Sequence, residues 1–398
     1  MRLVLYSGKG GVGKTTTAAA TAVCAAERGQ RTLVVSTDSA HSLGDVLEQR
    51  VGSAPVSVAP GLDALEVDAR VEMARHWGSI RDYLVALFRY QGIEEVVAEE
   101  LALMPGAEEL TALLAVEEHG TVGGYDLVVV DCAPSDSALR MLTLPELAHG
   151  AMRLLLHVQR ALSAVATPLA RGIVPLPLPD SGVFRDLEQL IYRKLRLLRR
   201  RVCSRDTSVR IVVTPERMVI EEARRFFTNL CLFDVACDAI VMNRILPAEA
   251  ASEDFFRDWG RLQGERLSEV KSLFAPLPVL TAPLQVDEVT GRERLRAHGA
   301  DIFSEVEPHA MLARGARVRF SRSDSGYRAH LPLPGARPEE LDVTKVDDEL
   351  LVRAGGHRRS LKLPRRVAPL DIECARLDEG ELVIDFGRER PAVLGGGS

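Results

Sequence analysis

Cysteine is scarce in this sequence: six cysteines occur among 398 residues, and none stands in a Cys-x-x-Cys pair. They are Cys24, Cys132, Cys203, Cys231, Cys237 and Cys374. Thiols scattered in this way argue against a disulfide scaffold and against a structural zinc site. We therefore expect a cytoplasmic chain without structural zinc.

Long apolar runs are also missing, since no stretch approaches the 18 or so apolar residues of a membrane span. The amino terminus passes directly into a strand and a glycine loop, so we expect no signal peptide. The net charge is −6, and a mildly acidic chain lacks the basic footprint of a nucleic-acid binder. With 46% apolar and 27% charged residues, the composition is that of folded domains, two or three at this length.

Short apolar runs alternate with helical stretches over the first 245 or so residues. These runs are Arg2–Tyr6, Arg31–Thr37, Leu127–Val130, Arg210–Thr214 and Ala239–Met242, with a further candidate at Val279 and Leu280. Such runs are typical of buried parallel strands whose two faces are covered by helices. The pattern predicts an α/β fold with a doubly wound parallel sheet.

Two long helical stretches, at about residues 71–120 and 150–205, predict a helical subdomain inserted into the sheet domain. Apolar residues in the second follow helical spacing and predict an amphipathic helix: Phe184, Leu187, Ile191, Leu195, Leu198 and Val202. The other face carries Arg193, Lys194, Arg196, Arg199 and Arg200. Two interpretations stay open, a packed helix with a solvated basic face, or a wall of a client-binding groove or membrane-surface contact.

A third region begins near Gly315 and shows period-two alternation with many turn residues. Because helical periodicity is lacking there, we expect an all-β module over residues 316–388. Apolar pairs such as Leu350/Val352 and Leu382/Ile384 lie on one face of their predicted strands. Residues 389–398, which end in Gly-Gly-Gly-Ser, are expected to be a flexible tail, either natural or added to the chain.

A glycine-rich motif between the first predicted strand and an alanine-rich helix carries the strongest chemical signal. It is Gly8-Lys9-Gly10-Gly11-Val12-Gly13-Lys14-Thr15, followed by Thr16, and it fits the phosphate-binding P-loop. Glycines let the backbone point its N–H groups at phosphate oxygens, and the helix adds its positive end. We expect Lys14 to reach the β- and γ-phosphates and Thr15 to ligate Mg²⁺.

Lys9 adds a second lysine early in the loop, and the motif then resembles the family that includes MinD, ParA, the nitrogenase iron protein and ArsA. In that family the early lysine reaches the nucleotide of a partner subunit. The resemblance therefore implies a homodimer with ATP held between the protomers and with Lys9, Lys14 and Asp38 as catalytic residues.

Further segments resemble the ArsA branch. The segment from Thr37 to Leu43 is similar to its switch I and implies that Asp38 orients and deprotonates the attacking water. Ser39 replaces the usual proline, while His41 and Asp45 are expected in the same switch. A strand ending in Asp131 resembles the Walker B pattern, which implies Mg²⁺ binding through water.

The segment after Asp131 resembles switch II, which includes Pro134, but Asp136-Ser137-Ala138 replace the usual Gly-His-Thr core. Asn243, at the end of a later strand, is expected to read the adenine edge with its amide. Pro283 and Leu284 begin a segment expected to close over the base. The nucleotide site is thus Gly8–Thr16 with Asn243, Pro283 and Leu284.

The resemblance covers a predicted ATPase domain at residues 1–312 and is strongest to the homodimeric ArsA-like ATPases that target tail-anchored membrane proteins. The β-module resembles the α-crystallin domain of small heat-shock proteins, which implies binding of partners or unfolded segments. It can equally be a structural cap on the ATPase. We expect a Mg²⁺-dependent ATPase that opens and closes a groove for a hydrophobic segment or other apolar ligand, with transient contact to a membrane or receptor.

Two alternative functions stay open. A metalloid-stimulated pump subunit needs clustered thiols, which the cysteine spacing does not offer. A nonenzymatic holdase would use the β-module as its main binding surface and the nucleotide only as a conformational ligand.

Overall fold

The computed structural model describes residues 1–38, 42–90, 92–101, 107–131, 193–315, 317–323 and 326–387. It divides into two units, residues 1–208 with 285–310, and residues 209–284 with 311–398. Among the described residues, no helix is both long enough and apolar enough to cross a membrane.

The first unit is built on five strands in the order β3-β4-β2-β5-β1. Their bounds are β1 Arg2–Ser7, β2 Thr32–Ser36, β3 Val56–Ala59, β4 Leu62–Glu66 and β5 Leu127–Asp131. β4, β2, β5 and β1 run parallel, and β3 is antiparallel to β4. Strands β1, β2 and β5 are buried almost throughout, as their apolar runs predict. The β3–β4 hairpin, in which Pro60-Gly61 forms the turn, was not predicted from the sequence.

Helices connect these strands and add a helical insertion between β4 and β5. The described helices are α1 Lys14–Glu27, α2 Leu43–Leu47, α3 Ala69–Tyr90, α4 Glu95–Leu101, α5 Ala107–Gly123, α6 Arg196–Val202 and, later in the chain, α10 Gly291–Ile302. Leu195, Leu198 and Val202 are buried at α6, as the amphipathic pattern predicts. The earlier residues of that pattern, Phe184, Leu187 and Ile191, lie outside the described part of the chain.

The second unit contains three parallel strands, with β7 between β6 and β8. The strands are β6 Thr207–Val213, β7 Cys237–Ile245 and β8 Val279–Pro283, and the helices are α7 Arg217–Leu232, α8 Ala248–Ser252 and α9 Arg257–Leu273. Arg210 and Asp238 form a fully buried ion pair at 3.3 Å. Asp238 also accepts a hydrogen bond from the backbone N–H of Leu312 at 3.2 Å, which fixes the segment leading to the β-module.

That β-module is a sandwich of two antiparallel sheets, β14-β15-β10-β9 and β11-β12-β13. Its strands are β9 Arg319–Arg322, β10 Gly326–Pro332, β11 Leu341–Val346, β12 Glu349–Ala354, β13 His357–Lys362, β14 Asp371–Asp378 and β15 Glu381–Gly387. Leu350, Val352, Leu382 and Ile384 are buried in its core. The parallel strands with helices and the carboxyl-terminal sandwich confirm the predicted fold class.

Polar groups from the sandwich meet α7 and the segment after it. Arg359 donates hydrogen bonds to the carbonyl oxygen of Leu232 and, at 2.5 Å, to the carboxylate of Asp234. Thr228 donates its hydroxyl hydrogen to the carbonyl oxygen of Pro334 at 2.8 Å. The side chain of Arg359 is only 5% exposed, so its charge depends on these partners.

We expect Arg359→Ala to lower the free energy of unfolding by about 3 kcal/mol, because it leaves Asp234 and a backbone carbonyl without their partner. Urea unfolding followed by circular dichroism measures this loss. The neighbouring Arg358 is exposed, so Arg358→Ala is the matched control and should change stability little. Equal midpoints for the two variants would contradict the importance of the Arg359 contact.

Candidate functional site

The P-loop lies between β1 and α1, where the buried strand leaves the sheet and the backbone turns sharply. Gly11 and Gly13 hold positive φ values of 80° and 94°, a conformation that side chains disfavour, so glycine is required at both positions. Gly13 caps α1, and the first turn of that helix contains no acidic residue. Backbone N–H groups in the first turn of a helix have no partner within the helix, and a first turn without acidic residues of its own suits the binding of a phosphate group.

The two lysines of the loop occupy different environments. The Lys14 ammonium group, half-buried at the start of α1, donates a hydrogen bond to the carbonyl oxygen of Lys9 at 3.3 Å. The Lys9 side chain is exposed. The Lys14 charge is therefore directed across the loop, where it can meet a phosphate, while Lys9 is open to solvent in the single chain.

Thr15, the second residue of α1, connects the loop to the end of β5 and to the start of α2. Its hydroxyl group donates to the Oδ2 atom of Asp131 at 2.5 Å and lies 3.4 Å from the Ser42 hydroxyl. Asp131 is the last residue of β5 and is 1% exposed. Three oxygen-bearing side chains thus converge beside the first turn of α1.

Burial raises the pKa of Asp131 from its ordinary value of 3.8 to about 6. The hydrogen bond from Thr15 and the positive charge of Lys14 act in the opposite direction, and the negative charge of Asp38 adds to the rise. The Oδ1 atom of Asp131 is buried and has no hydrogen-bond partner among the described residues. A buried carboxylate oxygen without a partner next to a hydroxyl group is a donor set that fits Mg²⁺.

Asp38 follows β2, the strand next to β5, and Ser36 at the end of β2 pairs with Asp131 in the parallel register. The backbone N–H of Asp38 donates to the Ser36 hydroxyl at 3.2 Å, and its side chain is exposed. The carboxyl ends of adjacent strands therefore bring Asp38 close enough to Asp131 to affect its pKa. An exposed carboxylate at this edge can accept a proton from a water molecule.

Two residues that sequence reasoning did not assign support the same edge of the sheet. Ser42 approaches Thr15, and Glu66, at the end of β4, accepts a hydrogen bond from the N–H of Gly44 at 3.0 Å. Glu66 is 9% exposed and holds the start of α2, which also carries Asp45 with an exposed side chain. The sequence does contain a pattern that could have indicated Glu66, because it is an acidic residue at the end of the largely apolar segment 62–66, Leu-Asp-Ala-Leu-Glu.

The expected adenine contacts all lie in the second unit. Asn243, near the end of β7, is 6% exposed, and its Oδ1 atom accepts a hydrogen bond from the N–H of Arg244 at 2.9 Å. Pro283 ends β8, and the N–H of Leu284 donates to the carbonyl oxygen of Ile245 at 2.7 Å. These three residues therefore share the carboxyl ends of two neighbouring strands.

Other residues expected in the site fall outside the described part of the chain. They are His41 and Pro134, together with the altered switch II segment Asp136-Ser137-Ala138. Their assignments stay predictions.

Comparison with known families gives two matches along the chain. Residues 1–304 match the family of anion-transporting ATPases, ArsA, and residues 324–386 match the HSP20-like domain found in ArsA. Similar proteins include two named as arsenical pump-driving ATPases. The one from Aquifex aeolicus is 33% identical over 96% of this chain and 99% of its own length. The one from Chlorobaculum tepidum is 32% identical over 98% and 97%.

A more distant relative, the ATPase ASNA1 homolog of Trypanosoma cruzi, is 28% identical over 73% of this chain and 88% of its own length. The similarities to the Aquifex aeolicus and Chlorobaculum tepidum proteins extend over the β-sandwich, since they cover nearly the whole chain. The family resemblance noted in the sequence is thereby confirmed.

The pKa of Asp131 predicts how proton and metal compete for this carboxylate. Below pH 6 the carboxyl group is increasingly protonated, so the Mg²⁺ affinity of the nucleotide complex should fall up to tenfold per pH unit. Above pH 7 the affinity should be constant. Mg²⁺ titrations with a fluorescent ATP analogue between pH 5 and 8 measure this profile.

Asp131→Asn removes this carboxylate and tests whether it causes the pH dependence of Mg²⁺ binding. It should lose most Mg²⁺ affinity together with the part of the pH dependence that Asp131 contributes, and it should keep the part due to protonation of the terminal phosphate of ATP. The same substitution should weaken Mg²⁺ binding but stabilise the nucleotide-free fold. Because the pKa of Asp131 is raised from 3.8 to about 6 in the folded state, the stability of the wild-type protein falls as pH rises through that interval. The nucleotide-free variant should therefore unfold at a higher temperature than wild type at pH 7.5. A lower unfolding temperature would show that the charge is not a cost to the fold.

Proposed function

The chain belongs to the ArsA family of ATPases, and we propose that it is a homodimeric, Mg²⁺-dependent ATPase that uses hydrolysis to open and close a hydrophobic groove. The client is a membrane-protein segment or another apolar ligand. The observation that carries the nucleotide part is the hydrogen bond between Thr15 and Asp131 beside the P-loop.

Thr15 and Asp131 are the residues that would hold Mg²⁺, Asp131 through bound water. Bound Mg²⁺ supplies neutralisation of charge on the phosphate oxygens. The P-loop backbone from Gly8 to Thr16 would hold the phosphates, while Asn243, Pro283 and Leu284 would surround the base. The orphaned Oδ1 atom of Asp131 supports this assignment, because it is buried without another partner among the described residues.

Hydrolysis needs a positioned water molecule and stabilisation of negative charge in the transition state. Asp38 would orient that water and accept its proton, a role that suits an exposed carboxylate at the edge of the sheet. Lys14 would stabilise the charge that develops on the transferred phosphoryl group. Lys9, exposed in the single chain, would reach the nucleotide of the partner protomer.

Nucleotide state would pass to the helical insertion through the switch segments that contain His41, Asp45 and Pro134. Three apolar side chains at the α3–α4 junction support an apolar client, because Tyr90, Val96 and Val97 are 48%, 66% and 46% exposed. All three lie within eight positions of the chain, and exposed apolar groups that form a patch commonly mark a binding surface. Binding of ATP would drive opening or closing only through different contacts with the γ-phosphate in the two states.

We assign the ATPase domain to residues 1–312 and the sandwich to residues 316–388, with residues 389–398 as a tail. The match to an HSP20-like domain supports a role for the sandwich in holding partners or unfolded segments. A nonenzymatic holdase does not agree with membership of an ATPase family, so the sandwich acts beside the ATPase activity and not in its place.

The names of the bacterial relatives favour a second candidate, an ATPase subunit stimulated by a metalloid. Cys231 and Cys237 are weak ligands for a metalloid, because a thiol binds as its thiolate and burial raises the pKa of both thiols, that of Cys231 to about 12. No group of three residues suited to hold a metal ion occurs among the residues the structure describes. Arsenite that raises the ATPase rate several-fold would support this second function.

Asp38→Asn should leave ATP binding nearly unchanged and lower the hydrolysis rate at least ~100-fold, because the amide cannot accept the proton of water. Phosphate release measures hydrolysis, and a fluorescent ATP analogue measures binding. Lys14→Ala is the comparison, since it should lose both binding and turnover. Full ATPase activity in Asp38→Asn would refute the proposed role of this residue.

The Asp38→Asn protein also offers a way to identify the client. Purified in ATP and Mg²⁺, it should be held in the nucleotide-bound state and co-purify with hydrophobic segments, which mass spectrometry identifies. Replacing Val96 and Val97 with serine in the same background should reduce that material, while nucleotide binding stays the same. Equal recovery from both proteins would exclude the α3–α4 surface as the client site.

A further inference from the structure

Three aromatic side chains cluster at the start of α9, on the surface of the second unit. Phe255 is 83% exposed and Trp259 is 65% exposed. The ring of Phe256 lies between them, 4.9 Å from the Phe255 ring and 5.8 Å from the Trp259 ring. Aromatic side chains make up 5% of the chain, so three within five positions form an unusual concentration.

Trp259 and Leu262 are three residues apart on α9 and share one face of the helix, while Phe255 lies in the turn that leads into it. We call these three exposed side chains the aromatic stripe. Leu262 is 44% exposed. Another side of α9 packs inward, because a Cβ atom at Gly260 would lie 2.8 Å from the Cβ atom of Ala251 in α8. The helix is therefore held on its unit by one side and presents an aromatic stripe on another.

The charges beside the stripe alternate in sign along the helix. Arg257 pairs with Asp254, and Arg261 lies 3.9 Å from Asp258 and 2.7 Å from Glu265. An anionic membrane or a nucleic acid would favour a surface of one positive sign, which this stripe lacks. A second copy of the same helix, running antiparallel, offers acidic groups to these arginines and arginines to these acids.

The size of the stripe also indicates its partner. A buried aromatic side chain removes about 150–250 Å² from water, so two exposed rings and a leucine offer roughly 400 Å² on each chain. A stable interface needs about 800 Å² per partner. The stripe is therefore about half of an interface, which fits a contact that forms only when another part of the dimer, such as a shared nucleotide, supplies the rest.

We propose that Phe255, Trp259 and Leu262 form a two-fold contact with the same stripe of a second copy of this chain. In this contact the two α9 helices run antiparallel, and Asp258 of each copy faces the partner's Arg261. The proposal rests on the proposed homodimeric function and adds to it a specific surface for the dimer.

The test compares Asp38→Asn with a variant that also carries Phe255→Ser and Trp259→Ser, both in ATP and Mg²⁺. Sedimentation velocity should show a dimer for the first and at least tenfold weaker dimerisation for the second. ATP binding measured at protein concentrations too low for dimerisation should stay within twofold, because the substituted side chains are exposed. Val56→Ser with Val122→Ser, two other exposed apolar positions, is the matched control and should dimerise normally.

Trp259 provides a second readout, because the only other tryptophan, Trp77, is 6% exposed. Acrylamide quenching of the Asp38→Asn protein should therefore report Trp259 and should fall several-fold when ATP is added. If the aromatic variant dimerises like its parent and quenching does not change, this inference is wrong and the homodimeric function stands. If the parent itself stays monomeric in ATP and Mg²⁺, the homodimeric function fails and this inference fails with it.

The same aromatic side chains could instead contact a membrane, and a vesicle experiment distinguishes this from contact with a second copy of the chain. Neutral phosphatidylcholine vesicles should not sediment with the protein under the same conditions. Co-sedimentation that is lost in the aromatic variant, while its dimerisation is unchanged, would overturn the proposed contact in favour of a lipid surface.

Discussion

The hydrogen bond from the Thr15 hydroxyl to the Asp131 carboxylate joins the first turn of α1 to the carboxyl end of β5. The P-loop can hold a phosphate only if α1 begins at a fixed place relative to the sheet, since its N–H groups are the phosphate donors. Asp131 is buried at the end of an apolar strand, so its position is determined by packing and not by solvent. This one hydrogen-bonded pair therefore sets the geometry on which the candidate nucleotide site depends.

The same pair makes the nucleotide-free site costly to the fold. Burial without a full set of partners raises the pKa of Asp131 to about 6, so at neutral pH the carboxylate is held ionised in surroundings that disfavour its charge. A cation bound at this position would offset the cost of the buried charge, and that offset would make cation binding more favourable. Stability and function thus act against each other at one residue, which is common where a charged group is buried for a ligand.

Parts of this molecule could be predicted from sequence because the signal was local. The P-loop combines glycines, a strand and a helix within a short segment, and the run Leu127–Val130 has the composition of a buried strand. The β3–β4 hairpin could not, because β3 is exposed at the sheet edge and Asp63 interrupts the apolar run of β4. The pKa of Asp131 and the exposure of Phe255 and Trp259 depend on three-dimensional burial, which no local pattern contains.

The β-sandwich adds a constraint of its own, because charged groups close its contact with α7. Arg224 on α7 is 5% exposed at its side chain, pairs with Glu221 at 3.1 Å and lies 3.6 Å from Glu340 of the sandwich. Separating the two surfaces would break the Arg224–Glu340 and Arg359–Asp234 pairs, while Arg224 would keep Glu221 of its own helix as a partner. The sandwich therefore cannot swing freely toward a client. Any segment that it binds must come to it, and any movement of α7 must carry the sandwich along.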